Sequence, residues 1–321
     1  MMSPTVLAAT WGDGLFVATG ESVRRELADQ SIRGLAADGK GGALAIVGGR
    51  SLRRRTAEGI WSTIAIAESE CSCSVAVGDV IYVGTDDAHV LRVGSNGISE
   101  QPAGFDNVPG RREWYAGTAL IDGRVVGPPL GIRSMTATCD GAVLLANVHV
   151  GGVPRSTDHG TTWSPTIQID ADVHQVSAHP TRPDLVIAAA AIGLCVSEDG
   201  GASWTIEREG LHAAYCSAVA FAGDDILVSA SDGPFASRGV IYRRPIGGSG
   251  PLRPIGGGLP EWIEGRADTG CIAANASTVA AADGGGHLWV SNDTGRTWSC
   301  GNDRIASASG LLVLNATPAS R

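Results

Sequence analysis

Ser156-Thr157-Asp158-His159-Gly160-Thr161-Thr162-Trp163 recurs as Ser197-Glu198-Asp199-Gly200-Gly201-Ala202-Ser203-Trp204 and as Ser291-Asn292-Asp293-Thr294-Gly295-Arg296-Thr297-Trp298. The shared pattern is S-x-D-x-G-x-[TS]-W, and each position in it has a turn role. The Asp accepts hydrogen bonds from backbone N–H groups close by in sequence. The Gly takes a positive φ that a Cβ would penalise. The Trp folds its ring back over the strands and buries a large apolar area. The second copy starts 41 residues after the first, and the third 94 residues after the second, about two further periods. Short apolar runs between turns at a spacing of ~40–50 residues predict a β-propeller, a ring of four-stranded blades.

Outward from these turns the chain divides into seven such units. Residues 6–10, 14–19 and 22–27 give three strands of a first unit with no fourth before them. Residues 306–314 are an apolar strand left over at the far end. Pairing the two ends in one blade closes the ring and removes a sheet edge. The second unit covers residues 31–64, with its turn worn down to Thr56-Ala57-Glu58-Gly59-Ile60-Trp61, and the third covers 73–101. Units four, five and seven carry the intact turns, and unit six has Gly247-Gly248-Ser249-Gly250 instead. Residues 104–131 break the period and read as an insertion with a hairpin at 119–126, or else as an extra degenerate blade. The expectation is an all-β, seven-bladed propeller of four-stranded blades forming a single domain over residues 1–321.

The repeated turn resembles the Asp box, or BNR repeat, of sialidase-like β-propellers and of bacterial WD40/YVTN/BNR-like repeat proteins, and the resemblance extends over nearly the whole chain. It implies the fold without implying an activity, because such boxes occur in enzymes and non-enzymes alike. Sialidases of this fold add an arginine triad, a Tyr/Glu nucleophile pair, an Asp acid and a Phe/Tyr-Arg-Ile-Pro motif; that motif does not occur here. The resemblance leaves two functional alternatives open. One is a glycoside hydrolase; the other is a non-catalytic scaffold that binds a protein partner through residues 104–131.

Composition narrows the class further. The 321 residues include 45 Gly, 8 Trp and only 4 each of Phe and Tyr, as suits short strands and tight turns with Trp anchors. A net charge of −9 disfavours nucleic acid and anionic membrane as partners. No apolar run is long enough for a membrane span. The first residues read as a strand rather than a signal peptide. Seven Cys, several inside apolar strand patterns, suit free thiols, so a cytoplasmic location is expected.

In a propeller the innermost strand of each blade, strand A, lines the central channel. The D–A and B–C connections gather at one mouth, and the repeated turns, between C and D, lie on the opposite face. Candidate site residues therefore come from D–A and B–C connections. His149, His174 and His212 fall there in three successive blades, and three imidazoles suit a divalent metal such as zinc with an open position for water. Asp268, Asp172 and Asp232 are candidates for its carboxylate partner or general base. Trp11, Arg33, Arg133, Asp232, Trp262 and Arg266 are candidate ligand-binding residues for a small polar molecule. Tyr215, and Cys216 as a nucleophile beside His212, join Asp268 as candidate catalytic groups. The resulting expectation is a small-ligand binder with metal-assisted hydrolase or lyase chemistry.

Overall fold

The computed structural model describes the chain except residues 1–3, 95–96, 99–102, 117–118, 122–123, 127–129, 302–303, 306 and 316–321. Its architecture is seven antiparallel sheets in a ring, a seven-bladed β-propeller. The innermost strands, from blade 2 to blade 7, are Ile32–Ala37, Cys71–Val77, Ile132–Ala137, Val173–Ala178, Tyr215–Ala222 and Ile272–Asn275. Blade 1 joins both ends of the chain. Its innermost strand Ala308–Leu314 pairs with Thr5–Thr10, Thr5 opposite Leu314 and Ala9 opposite Gly310. The ring is thus closed by hydrogen bonds between residues far apart in sequence, and Thr5–Thr10 is not left as an exposed edge.

Second strands are the most apolar, and for a physical reason. Ala43–Val47, Leu144–Val148 and Val186–Ala190 are buried at every residue. Each is covered on both faces by the neighbouring blades, so alternation gives way to a run of small and branched apolar side chains, interrupted in Leu144–Val148 by the buried Asn147. Outer strands are short and exposed, as in Ser164–Pro165 and Ser299–Cys300.

The three intact turns share one geometry. Asp158 Oδ1 accepts from Ser156 Oγ at 2.8 Å and from the Thr162 N–H at 2.8 Å, while Oδ2 accepts from Thr162 Oγ1 at 2.6 Å. Asp199 and Asp293 repeat these bonds with Ser203 and Thr297. The residue after each Asp is left-handed, at φ 56° for His159, 67° for Gly200 and 58° for Thr294. Its carbonyl thereby points at the preceding blade, which supplies a donor every time. Tyr82 Oη donates to His159 O at 2.9 Å, Arg155 Nε to Gly200 O at 2.9 Å, and Arg243 Nη2 to Thr294 O. The following Gly sits against that same blade: a Cβ on Gly201 would lie 2.5 Å from Leu145 Cδ2. Blade 2, whose turn has lost the Ser and Asp, is fastened differently. Glu26 of blade 1 accepts from Trp61 Nε1 at 2.7 Å and from Arg55 Nε at 2.9 Å.

The segment after blade 3 forms no eighth blade. It contains a single helical turn, Ala103–Asp106, a 3₁₀ turn, Arg111–Glu113, and an isolated two-stranded hairpin, Ala119–Ile121 with Arg124–Val126. Phe105 and Trp114 are buried, and the Phe105 ring meets Trp163 edge-on at 5.1 Å. The segment covers the flank of blades 3 and 4 where the outer strand Gly97–Ile98 is only two residues long. Most of the strand expected at 98–101 lies outside the described residues. Among the described residues no helix is long and apolar enough to cross a membrane.

Two predictions follow from the turns. Ser197 Oγ, 1 % exposed, accepts from the Gly201 N–H at 2.8 Å. Ser197→Ala leaves that buried donor without a partner and is expected to lower unfolding free energy by about 1–2 kcal/mol in a denaturant titration. Thr162 holds the Asp158 carboxyl down at about 2; at Asp199 burial works the other way, but Ser203 outweighs it and that carboxyl too lies at about 2. Both lie below the unfolded value of ~3.9. The stability they supply is therefore complete above about pH 4 and lost as pH falls toward 2, and Asp158→Asn/Asp199→Asn should flatten that acid limb of a thermal-melt series.

Candidate functional site

One irregularity, repeated around the ring, builds the mouth. Where the innermost strand enters five of the blades, one residue is extra relative to its neighbour strand. It is Ser309 in blade 1, Ser72 in blade 3, Arg133 in blade 4, His174 in blade 5 and Ser217 in blade 6. Such a β-bulge re-aims its side chain out of the strand's normal alternation. In three blades it is aimed at the next blade. Ser309 Oγ donates to Ile32 O, Ser72 Oγ to Ile132 O, and His174 Nδ1 to Cys216 O at 2.5 Å. Each acceptor is the first or second residue of the next inner strand, so these bonds stitch the blades together around the channel.

Arg133 breaks this pattern. It reaches across to blade 7, with Nη2 3.0 Å from Thr269 Oγ1 and 3.5 Å from Asp268 Oδ1. The D–A connection of blade 7 comes to meet it. Thr269 Oγ1 donates to His174 O at 3.2 Å, and the Gly270 N–H donates to Gln175 Oε1 at 2.9 Å. Residues 268–270 therefore bridge to blades 4 and 5 and cover the inner strand of blade 6. A cavity of about 680 Å³ remains, lined by the inner strands of blades 1 to 5, by residues 268–270 and by Trp11, but by no residue of blade 6.

The four charged residues that line this mouth balance, Arg33 with Asp86 and Arg133 with Asp268. Arg33 binds Asp86 and Glu70, each at 3.0 Å. Arg266 Nη2 binds Asp268 Oδ2 at 2.9 Å. Burial alone would raise the Asp268 carboxyl, but Arg133 and Arg266 outweigh it and hold the group below its ordinary range. Trp11, half-exposed, lies with its ring 5.9 Å from the Arg33 guanidinium. Hydroxyl groups of Ser72, Ser134, Thr136 and Ser177 line the walls between these pairs.

The three candidate histidines do not form one group. His149, after the second strand of blade 4, and His174 come together around Asp172. His149 Nε2 is 3.1 Å from Asp172 Oδ1, and His174 Nε2 is 3.5 Å from Oδ2. Asp172 is placed by the left-handed φ of 48° that ends the 3₁₀ turn Ile169–Ala171. Burial would raise its carboxyl, but the two imidazoles outweigh that and hold it well below the usual carboxylate range. Burial also pushes His149 down, against the opposing effect of Asp172. The pairing is thus a neutral ring beside an ionised carboxylate. Tyr215 packs on His174 with ring centroids 4.6 Å apart, and Arg266 lies 5.9 Å from the Tyr215 ring.

His212 belongs elsewhere, which corrects the expected trio. Its Nδ1 bonds Tyr242 Oη at 2.8 Å, and its ring meets Trp262 edge-on at 4.9 Å. Trp262 is further clamped by Arg238, 4.1 Å from its ring, and so is a packing residue rather than an open stacking platform. Asp232 stays exposed, 3.9 Å from His212. Cys216 is corrected as well. It is fully buried, and burial pushes its thiol up to about 12, which removes the thiolate a nucleophile needs. Its backbone carbonyl is the group that serves the site, by fixing His174. Of the candidates, Trp11, Arg33, Arg133 and Asp268 line the cavity; Asp86, Thr269 and the bulged Ser72 line it too, and sequence reasoning did not single them out. The one available signal for the bulges was a polar residue between apolar ones, as in Cys71-Ser72-Cys73 and Cys216-Ser217-Ala218.

Fold and mouth together define a seven-bladed β-propeller with a polar cavity at one end of its channel. No protein-family model matches the chain, and no curated protein matches it in sequence. Among solved structures it is similar to a protein of Bacteroides uniformis provisionally assigned as a 6-phosphogluconolactonase, with 11% identity and a TM-score of 0.65 over 98% of this chain and 100% of that one. It is similar to the WD40 propeller domain of Doa1, with 11% identity and a TM-score of 0.59 over 95% of this chain and 87% of that one. It also resembles the GH74 xyloglucanase of Xanthomonas campestris, with 17% identity and a TM-score of 0.56 over 92% of this chain but 46% of that one. At these identities the likeness shows the fold alone.

The placement of the thiols is directly measurable. Cys139 and Cys300 are exposed, and the other five cysteines are buried. A disulfide-exchange reagent should titrate two thiols rapidly in the native protein and the rest only after unfolding. Rapid labelling of Cys216, located by peptide mapping, would contradict the assignment made here.

Proposed function

We propose that the protein is an Asp-box propeller that binds a small, hydroxyl-rich polar ligand of no net charge at the channel mouth. The observation that carries this reading is the cavity itself: about 680 Å³, the size of a small-molecule site, with its charges already neutralised in pairs. Among the lining residues, Arg33 with Asp86 and Arg133 with Asp268 offer fixed donors and acceptors that balance in charge, with Glu70 and Arg266 of opposite sign behind them. Trp11 adds an apolar face of the kind that packs on the C–H face of a sugar ring. Metal-assisted hydrolase or lyase chemistry on such a ligand is the catalytic form of this proposal.

The glycoside-hydrolase alternative draws on the fold likeness to the xyloglucanase. It fits this mouth less well. Glycoside hydrolysis needs one carboxyl kept protonated as a general acid. Asp268, held ionised by two arginines, has the opposite environment. The scaffold alternative rested on residues 104–131, but Phe105 and Trp114 of that segment are turned inward against blades 3 and 4.

The test is a binding screen of neutral sugars, sugar acids and amino acids, read by intrinsic Trp fluorescence and by thermal shift. A neutral polyhydroxylated compound should bind best. Trp11→Ala should weaken it about tenfold, a loss of ~1.4 kcal/mol, with the melting temperature of the ligand-free protein unchanged because Trp11 is half-exposed. Binding that is indifferent to Trp11→Ala, or confined to anions, would refute the reading.

A further inference from the structure

We propose that His149, Asp172 and His174 form a zinc site at the junction of blades 4 and 5, beside the channel mouth. The inference goes beyond the ligand reading and uses none of the residues on which that reading rests. It begins with a tautomer. His174 Nδ1 faces the carbonyl oxygen of Cys216 at 2.5 Å, and a carbonyl only accepts, so Nδ1 carries the hydrogen. In the neutral ring Nε2 is then a bare lone pair, and it points at Asp172 Oδ2 from 3.5 Å. Two acceptors face each other inside the protein, where such a contact is repulsive unless a positive charge lies between them.

The rest of the cluster has the same deficit. His174 Nε2 and Asp172 Oδ1 are both buried atoms without a hydrogen-bond partner. Side-chain exposure is 1% for His174, 5% for His149 and 30% for Asp172. Buried polar atoms left open in this way call for an ion or a proton.

Geometry selects the ion. For zinc bound to nitrogen and oxygen at ~2.0–2.1 Å in a tetrahedron, neighbouring ligand atoms stand ~3.3 Å apart. Asp172 Oδ1 stands 3.1 Å from His149 Nε2 and Oδ2 stands 3.5 Å from His174 Nε2, a spacing a carboxylate chelating through both oxygens would meet, and the three residues offer ligand atoms within 4.8 Å of one another. Two imidazoles with one carboxylate suit zinc, whereas calcium and magnesium prefer all-oxygen sets. The Cys216 carbonyl on Nδ1 is the outer-shell partner that orients a metal-binding histidine. Because the rings are enclosed and only Asp172 reaches solvent, the remaining coordination position opens on the carboxylate side. A zinc ion there would supply an activated water at neutral pH.

The experiment uses the intact chain stripped of metal with a chelator, then dialysed against Zn²⁺ or, for its visible spectrum, Co²⁺. We expect one zinc per chain by elemental analysis, a Co²⁺ absorption of the intensity of a four- or five-coordinate site, and a raised melting temperature with Zn²⁺ that Ca²⁺ and Mg²⁺ do not reproduce. Asp172→Asn keeps the side-chain shape and should weaken zinc at least ~100-fold, more than is lost with an outer-shell partner. His149→Asn should do the same, and His212→Ala should leave zinc binding intact. Should His174→Asn fail to fold, the Asp172 variant still decides the matter. Wild-type protein that takes up no zinc or cobalt while folded overturns the proposal. Zinc uptake that survives Asp172→Asn, or vanishes with His212→Ala, overturns the ligand assignment. Sugar binding at the mouth is scored separately through Trp11, so either proposal can fail alone.

Discussion

The fold depends on one recurring constraint: each blade must be fastened to the next without a backbone ladder between them. Sheet hydrogen bonds run within blades, and the seam between blades is apolar packing plus a few directed bonds. At the mouth these come from bulged residues, with Ser309, Ser72 and His174 each donating to a carbonyl at the start of the following inner strand, Ile32, Ile132 and Cys216. On the opposite face they come from donors in one blade to the left-handed carbonyl of the next blade's turn. A ring of wedge-shaped sheets held only by apolar contact would slide, because dispersion and burial are not directional. The polar bonds fix the angle at which each wedge sits.

This makes the site a by-product of the fastening. Such a bulge turns one side chain toward the neighbouring blade, and in blades 1 and 3 a serine suffices. Blade 4 has Arg133 there and blade 5 has His174, side chains too large and too polar to be only fasteners. Arg133 spans the channel to blade 7, pulls residues 268–270 across blade 6 and so shapes an off-axis cavity. His174 keeps the fastening bond with Nδ1 and is left with a second nitrogen, which meets Asp172 and His149. The chemistry of the mouth thus arises where the structural position was given a residue with more functional groups than the structural task uses.

The repeated turn shows the reverse economy. Every polar atom of Ser197, Asp199 and Ser203 that forms the motif is engaged in holding the turn itself. Its Asp is held ionised by donors of its own loop, and no group of the motif is left to meet a ligand. That is the physical reason a conspicuous sequence motif marks the face away from the cavity.

Periodicity was fully legible in the sequence. The spacing of Ser156, Ser197 and Ser291, the apolar runs between them and the unpaired strands at the two ends determine the all-β class, the seven blades and the closure of the ring. These follow from local rules: alternation, turn chemistry and the need to cover sheet edges. The same rules place connections on a face, which is why Trp11, Arg33, Arg133 and Asp268 could be named as mouth residues. They do not place side chains within that face. Whether His212 or Asp172 completes the cluster depends on bulges that shift register by one residue, on the left-handed turn at Asp172 and on a loop crossing the channel. Each of those is set by packing against residues from another blade, which are distant in the chain, so only the tertiary structure decided it.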